Sequence, residues 1–216
     1  DYSITIAVRN IRELDEFLMQ IKSEFKELIK DYSVSIVVYS RIFKLSKLLL
    51  GEKEAVKFEK YSGEDEKTEI DEKDKKILKE LAQAANLSIV ELAEKTRLSL
   101  DVVKYRLRLL NKIVNSYRVM LNFGKLGYYH YVIMIRMKQA TKEDEEKLVN
   151  WCFFKKNVIF FTKRIGYSDF EINAAITDIN DLNNFLAELR EKFGNFIDGY
   201  ELIINSQLLK LNYIPF

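Results

Sequence analysis

The sequence predicts an α+β fold: a three-helix segment followed by a complete βαββαβ unit, with half of a second such unit in front. Three observations carry this. The first is an internal repeat. Set against residue 169 without a gap, residues 1–32 share ten identities with the later stretch, among them Asp1/Asp169, Leu14/Leu182, Phe17/Phe185, Phe25/Phe193 and Tyr32/Tyr200. Any two strand–helix–strand units share an apolar pattern, but pattern alone does not supply an identical Asp and Tyr, so the match reads as duplication. The second observation is period-two alternation in several short stretches, and the third is a run of helical patterns in quick succession after residue 70.

Taken in order, SITIAV alternates as a half-buried strand, and Asn10 is an N-cap residue type ahead of a helix with apolar positions 14, 17, 18, 21 and 25. YSVSIVVYSRIFKL then supplies a long strand. Residues 46–69 are charge-dense, and GEDEKTE reads as a solvated linker. IDEKDKKILKELAQAAN carries acids in its first turn, which favour the positive end of a helix, and apolar residues at Ile77, Leu78, Leu81 and Ala85. SIVELAEKT is a short helix with Ser88 and Glu91 spaced as a capping box. Ser99 is the expected N-cap of a third helix, LDVVKYRLRLLNK, whose Val103, Leu107 and Leu110 form an inward stripe. This is the spacing of a helix-turn-helix.

The second copy of the repeat is complete. HYVIMIRMK, the helix KEDEEKLVNWCFFKK and the strand VIFFTKRIG precede EINAAI, a helix capped by Asp178, and a long strand YELIINSQLLKLNYI. The whole is a ferredoxin-like sheet with helices on one face. Expected boundaries are a partial ferredoxin-like domain at 1–50, a linker at 51–69, a winged helix-turn-helix at 70–118 and a full ferredoxin-like domain at 119–216. Because Asp1 aligns with Asp169, the repeat implies a chain that starts midway through a domain, about 40 residues short of the counterpart of 130–168.

Charge sharpens the functional reading. A net +2 hides a basic segment, with six bases against one acid in residues 97–118, and an acidic one, with three bases against eight acids in 169–216. Basic charge on the third helix of a helix-turn-helix is the footprint of a module that meets phosphates. The single cysteine, Cys152, sits between Trp151 and Phe153, which suits a buried thiol in a reducing, cytoplasmic setting and excludes an internal disulfide framework. No run of apolar residues is long enough to span a membrane. No Gly-rich phosphate loop, metal-spaced His/Cys set or Ser/His/Asp arrangement is visible, so no catalytic residue, metal or cofactor is assigned. The only histidine, His130, opens an apolar strand and suits a structural role. Alternation places Tyr129 and Tyr131 on one face, where dimer packing is expected rather than base stacking.

IDEKDKKILKEL, SIVELAEKT, LSLDVVKYRLRLL, the expected strand YRVMLN, and the turn GYSD before a βαβ unit together resemble the Lrp/AsnC family of archaeal and bacterial transcription regulators. The resemblance covers residues 70–216, and residues 1–45 match half of a further effector-type domain. It implies a recognition helix at 99–111 in the major groove of double-stranded DNA, with Ser99, Leu100, Asp101, Lys104, Tyr105 and Arg108 nearest the bases and phosphates. It also implies an amino-acid-like effector near Gly166, Tyr167, Ser168 and Asp169, and a homodimer or higher homo-oligomer. Departures from the family pattern are the turn NKIVNSY, which has no Gly, Asp101 on the DNA-facing stripe, and Leu109 where a basic residue is common. Two other readings share the architecture. One is a siroheme decarboxylase-like enzyme, with Arg136, Lys163 and Arg164 as candidates to hold a carboxylate; the other is a helix-turn-helix kept only for assembly.

Overall fold

The computed structural model describes residues 2–43, 45–50, 59–62, 69–114, 117, 119–211 and 214. Between Val34 and Ser35 the chain divides into two compact units.

In the first unit, α1 (Ile11–Glu24) is capped by Asn10, whose side chain accepts from the backbone N–H groups of Arg12 and Glu13 at 3.0 and 3.1 Å. The stripe read from the sequence is present, yet no α1 residue is buried. SITIAV is not a strand: residues 2–8 carry no strand pairing and are exposed. Its repeat partner EINAAI lies between two other strands, and without such neighbours the same alternation has no ladder to join.

The second unit opens with β1 (Ser35–Ile42), α2 (Ser46–Leu50) and β2 (Glu59–Ser62). The expected linker thus contains a strand, and β2 pairs antiparallel with β1; residues 51–58 and 63–68 of that linker lie outside the described residues. Three helices follow, α3 (Glu72–Gln83), α4 (Ile89–Thr96) and α5 (Leu100–Leu110). Ile77, Leu92, Val103 and Leu110 are buried where they meet, with Leu107, Ile113 and Ile214 packed against them. Residues 117 and 119–122 of YRVMLN are not strand; the turn before them lacks the Gly that favours a tight return, and residues 115, 116 and 118 lie outside the described residues.

The remaining elements are β3 (Tyr129–Met137), α6 (Lys142–Phe154), β4 (Val158–Gly166), β5 (Phe170–Ile176), α7 (Ile179–Phe193) and β6 (Ile197–Ile204). Their sheet order is β4-β5-β3-β6, the ferredoxin-like arrangement, and β1 and then β2 extend it beyond β4. α6 and α7 cover one face. Leu148, Cys152, Phe185 and Leu189 pack there on Ile133, Ile135, Phe161 and Ile172. Registered pairs share a face, so Tyr129 and Tyr131 fall on the helix-covered side with Ile133, and Tyr131 packs against the core. That corrects the expectation of a dimer-facing tyrosine pair. β6 stops at Ile204, opposite Tyr131, and residues 205–211 of the expected long strand are exposed coil, because β3 offers only the carbonyl of His130, to Asn205 N–H, past that point.

Candidate nucleic-acid interface and effector turn

Local chemistry fixes the three helices. Asp71 accepts from the N–H groups of Lys73 and Asp74, while Asp74 accepts from Asp71 N–H, so α3 starts on a capping box. Ser88 and Glu91 form the expected box on α4, and the Ser99 hydroxyl accepts from Val102 N–H at 3.4 Å on α5. Between α4 and α5 the chain turns through Arg97, which adopts the left-handed φ of 57°. The turn closes as Leu98 N–H donates to the Ala93 carbonyl.

α5 therefore presents a defined outer stripe. Ser99, Leu100, Asp101, Lys104, Tyr105 and Arg108 are all exposed, Tyr105 to 59% and Leu100 to 44%. The Lys104 and Arg108 head groups make no ion pair within the described residues. Arg106 behaves differently. Its guanidinium lies 2.8 Å from Asp71 and 3.1 Å from Asp74, and Asp74 is 6% exposed. One of the six bases counted in this segment thus ties α5 to the start of α3 rather than facing outward. The spacing held the signal: Arg106 lies three residues after Val103 and four before Leu110, on the buried side of the helix. Arg118 lies outside the described residues.

The Gly166–Asp169 turn joins β4 to β5. Gly166 has φ of 125°, a conformation that L side chains rarely adopt. Asp169 is tied into the sheet: its carboxylate accepts from Met137 N–H at 2.6 Å, its N–H donates to Ile135, and its carbonyl accepts from Arg164 N–H. The Tyr167 hydroxyl donates to Glu201 at 2.6 Å. Ser168 is 1% exposed, and its hydroxyl has no hydrogen-bond partner among the described residues.

The open face of the sheet carries a polar chain. His130 Nε2 donates to Asn173 Oδ1 at 2.9 Å, Asn173 Nδ2 donates to Glu171 at 2.7 Å, and Glu171 pairs with Arg164. Burial holds the His130 pKa below its ordinary value. Of the three bases weighed for a ligand carboxylate, Lys163 pairs with Glu145 and Arg164 with Glu171, while Arg136 is exposed. Among the described residues no group of three or more His, Cys, Asp or Glu gathers as a metal site, and no helix is long and apolar enough to cross a membrane.

A capped three-helix module joined to a ferredoxin-like sheet defines a class of helix-turn-helix proteins, and residues 70–112 match the winged helix-turn-helix DNA-binding family. An uncharacterized HTH-type transcriptional regulator of Pyrococcus furiosus is 28% identical over 128 residues, covering 57% of this chain and 82% of that protein. A Neisseria meningitidis transcriptional regulator in complex with L-Met superposes with a TM-score of 0.60 at 22% identity, covering 67% of this chain and 95% of that one. The AsnC family transcriptional regulator of Agrobacterium tumefaciens does so with a TM-score of 0.58 at 20% identity and the same coverage. The fold is that of the Lrp/AsnC regulators, as the sequence motifs implied.

Proposed function

We propose that this protein is a DNA-binding transcription regulator whose α5 enters the major groove. The observation that carries the reading is the outward stripe of α5, where Lys104 and Arg108 stand exposed and, among the described residues, free of ion pairs on the third helix of a capped helix-turn-helix. Arg and Lys suit both phosphate oxygens and the acceptors of guanine, and Asp101 suits the N4 amino group of cytosine. Ser99 caps the helix and fixes where its first turn meets the duplex, with Leu100 and Tyr105 supplying apolar and stacking contact. Fluorescence anisotropy on duplex DNA across a salt series tests this. Binding that weakens steeply with salt, and less steeply after Arg108→Ala, supports it; binding independent of salt and of Arg108 refutes it.

Regulation in this reading comes from an amino-acid-like effector at the Gly166–Asp169 turn, with the unpartnered Ser168 hydroxyl as the group a ligand would satisfy. The similar Neisseria protein was solved with L-Met. Homodimerisation through the open sheet face would place two recognition helices one helical turn apart, about 34 Å. Titration of L-Met against the wild type and Ser168→Ala, with sedimentation to follow assembly, tests both: an effector acting at this turn binds the wild type and not the variant.

A further inference from the structure

At the other end of β5 from the Gly166–Asp169 turn lies a cavity of about 360 Å³, lined by none of the residues of that turn or of the α5 stripe. It falls in the size range of small-molecule sites. Its floor is Asn157, only 7% exposed, and no described residue hydrogen-bonds the Asn157 side-chain amide. The amide is not among the enclosed polar atoms that lack a partner, so it faces the solvent of the cavity, where a ligand would pair with it in place of water. The walls come from the first turns of α7: Asn180 and Asn184 lie one helical turn apart, with Asp178 and Asp181 beside them.

The chemistry of these groups selects the ligand. A helix N-terminus ordinarily favours an anion through its free N–H groups. Here Asp178 Oδ1 already takes the N–H groups of Asn180 and Asp181 at 2.8 and 2.9 Å, and Thr177 N–H points to Asp181 Oδ2. What remains on offer is the acceptor Asp181 Oδ1, beside the side-chain amides of three asparagines, which can each donate as well as accept. Lys156 is exposed at the rim, so the two carboxylates outnumber the single cation. We infer that this cavity is a second small-molecule site, selective for a small organic cation, an ammonium or guanidinium on a short polar chain, anchored by Asp181 and Asn157.

The test uses agmatine as probe on the full chain, by calorimetric titration. Wild type is expected to bind saturably, and Asp181→Asn to weaken binding by about tenfold or more, the scale of a lost charged hydrogen bond. Asn180→Ala, at an exposed helix position, is expected to weaken it less, and Ser168→Ala to leave it unchanged. Urea midpoints check that each variant is folded. Absence of saturable binding, wild-type affinity in folded Asp181→Asn, or loss of binding in Ser168→Ala each overturns the inference; the last would place the cation at the turn instead. None of these outcomes bears on DNA binding, so the two readings fail separately.

Discussion

Arg106 and Arg108 are two residues apart on one helix, and the structure gives them opposite surroundings: Arg106 is paired with Asp71 and Asp74, and Arg108 is exposed. Replacing Arg108 by Ala removes an exposed cation with no partner among the described residues, so stability is expected to change by no more than about 0.5 kcal/mol. If its guanidinium neutralises one phosphate, the slope of log K against log salt falls by about 0.9 for each recognition helix on the DNA. Between about 50 and about 200 mM salt, the wild type should then lose about 3.5-fold more affinity than the variant, per helix. Replacing Arg106 by Ala does the reverse. Asp74, 6% exposed, keeps its capping bond to Asp71 N–H but loses its cation. An uncompensated buried carboxylate costs about 1–3 kcal/mol; the Arg106 side chain is 23% exposed, so the loss stays short of that for a fully buried pair. Urea unfolding and salt-series anisotropy on both variants read the two effects separately. A lowered salt slope for Arg106→Ala with unchanged stability, or an unchanged slope for Arg108→Ala, would refute the assignment.

Three further outcomes are expected. Cys152 is fully buried among Phe185-side packing and its thiol pKa is pushed up by that burial, so a thiol reagent should leave it unmodified in the native protein and label it once urea unfolds the chain. His130 has a pKa lowered by burial, so near its ordinary value of about 6.5 the unfolded chain binds the proton more readily than the fold. Its contribution is therefore intact above that value and lost as pH falls through it, and urea midpoints at pH 7 and 5.5 should differ less in His130→Gln than in wild type. Gly166→Ala forces a side chain into φ of 125° and should lower stability by about 1–3 kcal/mol, read from the same urea curves.

What was legible in the sequence was whatever depends on neighbours along the chain. The Ser88–Glu91 box and the Ser99 and Asp178 caps are each formed by residues three or fewer positions apart, and all were readable. So was VIFFTKRIG, which is β4 residue for residue. What could not be read depends on residues far away. SITIAV and EINAAI carry the same alternation, but only the second has strands on both sides. YELIINSQLLKLNYI is apolar well past Ile204, yet β6 ends there, opposite Tyr131, although β3 runs on to Tyr129. For the candidate site, the outward placing of Asp101, Lys104 and Arg108 followed from helical periodicity and that of Ser99, Leu100 and Tyr105 from the family resemblance, whereas the burden carried by Asp169 required seeing Met137 brought alongside it.

The placement of β1 follows from the same dependence on neighbours. In a four-stranded ferredoxin-like sheet the strand equivalent to β4 is an edge, and here that edge is rich in aromatic residues: Phe160, Phe161 and their neighbours would offer unpaired N–H and C=O groups along an apolar strand. Such an edge recruits further strands. β1 pairs with β4 from Ser35↔Gly166 to Ile42↔Phe160, joined by a Ser40–Thr162 hydroxyl contact at 2.9 Å, and the Tyr39 hydroxyl donates to Glu145 on α6. Phe43, just beyond β1, is 4% exposed and packs edge-on to Phe153 at 6.0 Å, so the added strand is sealed into the main core at its far end. Removing Phe43 tests whether this sealing matters. Phe43→Ala should cost about 3–5 kcal/mol, as for other buried aromatic truncations, and should raise the tendency to associate by loosening β1 from the edge it covers. A variant that lost stability by that amount yet stayed as soluble as the wild type would separate the two effects and show that β1 protects the edge without help from its aromatic anchor.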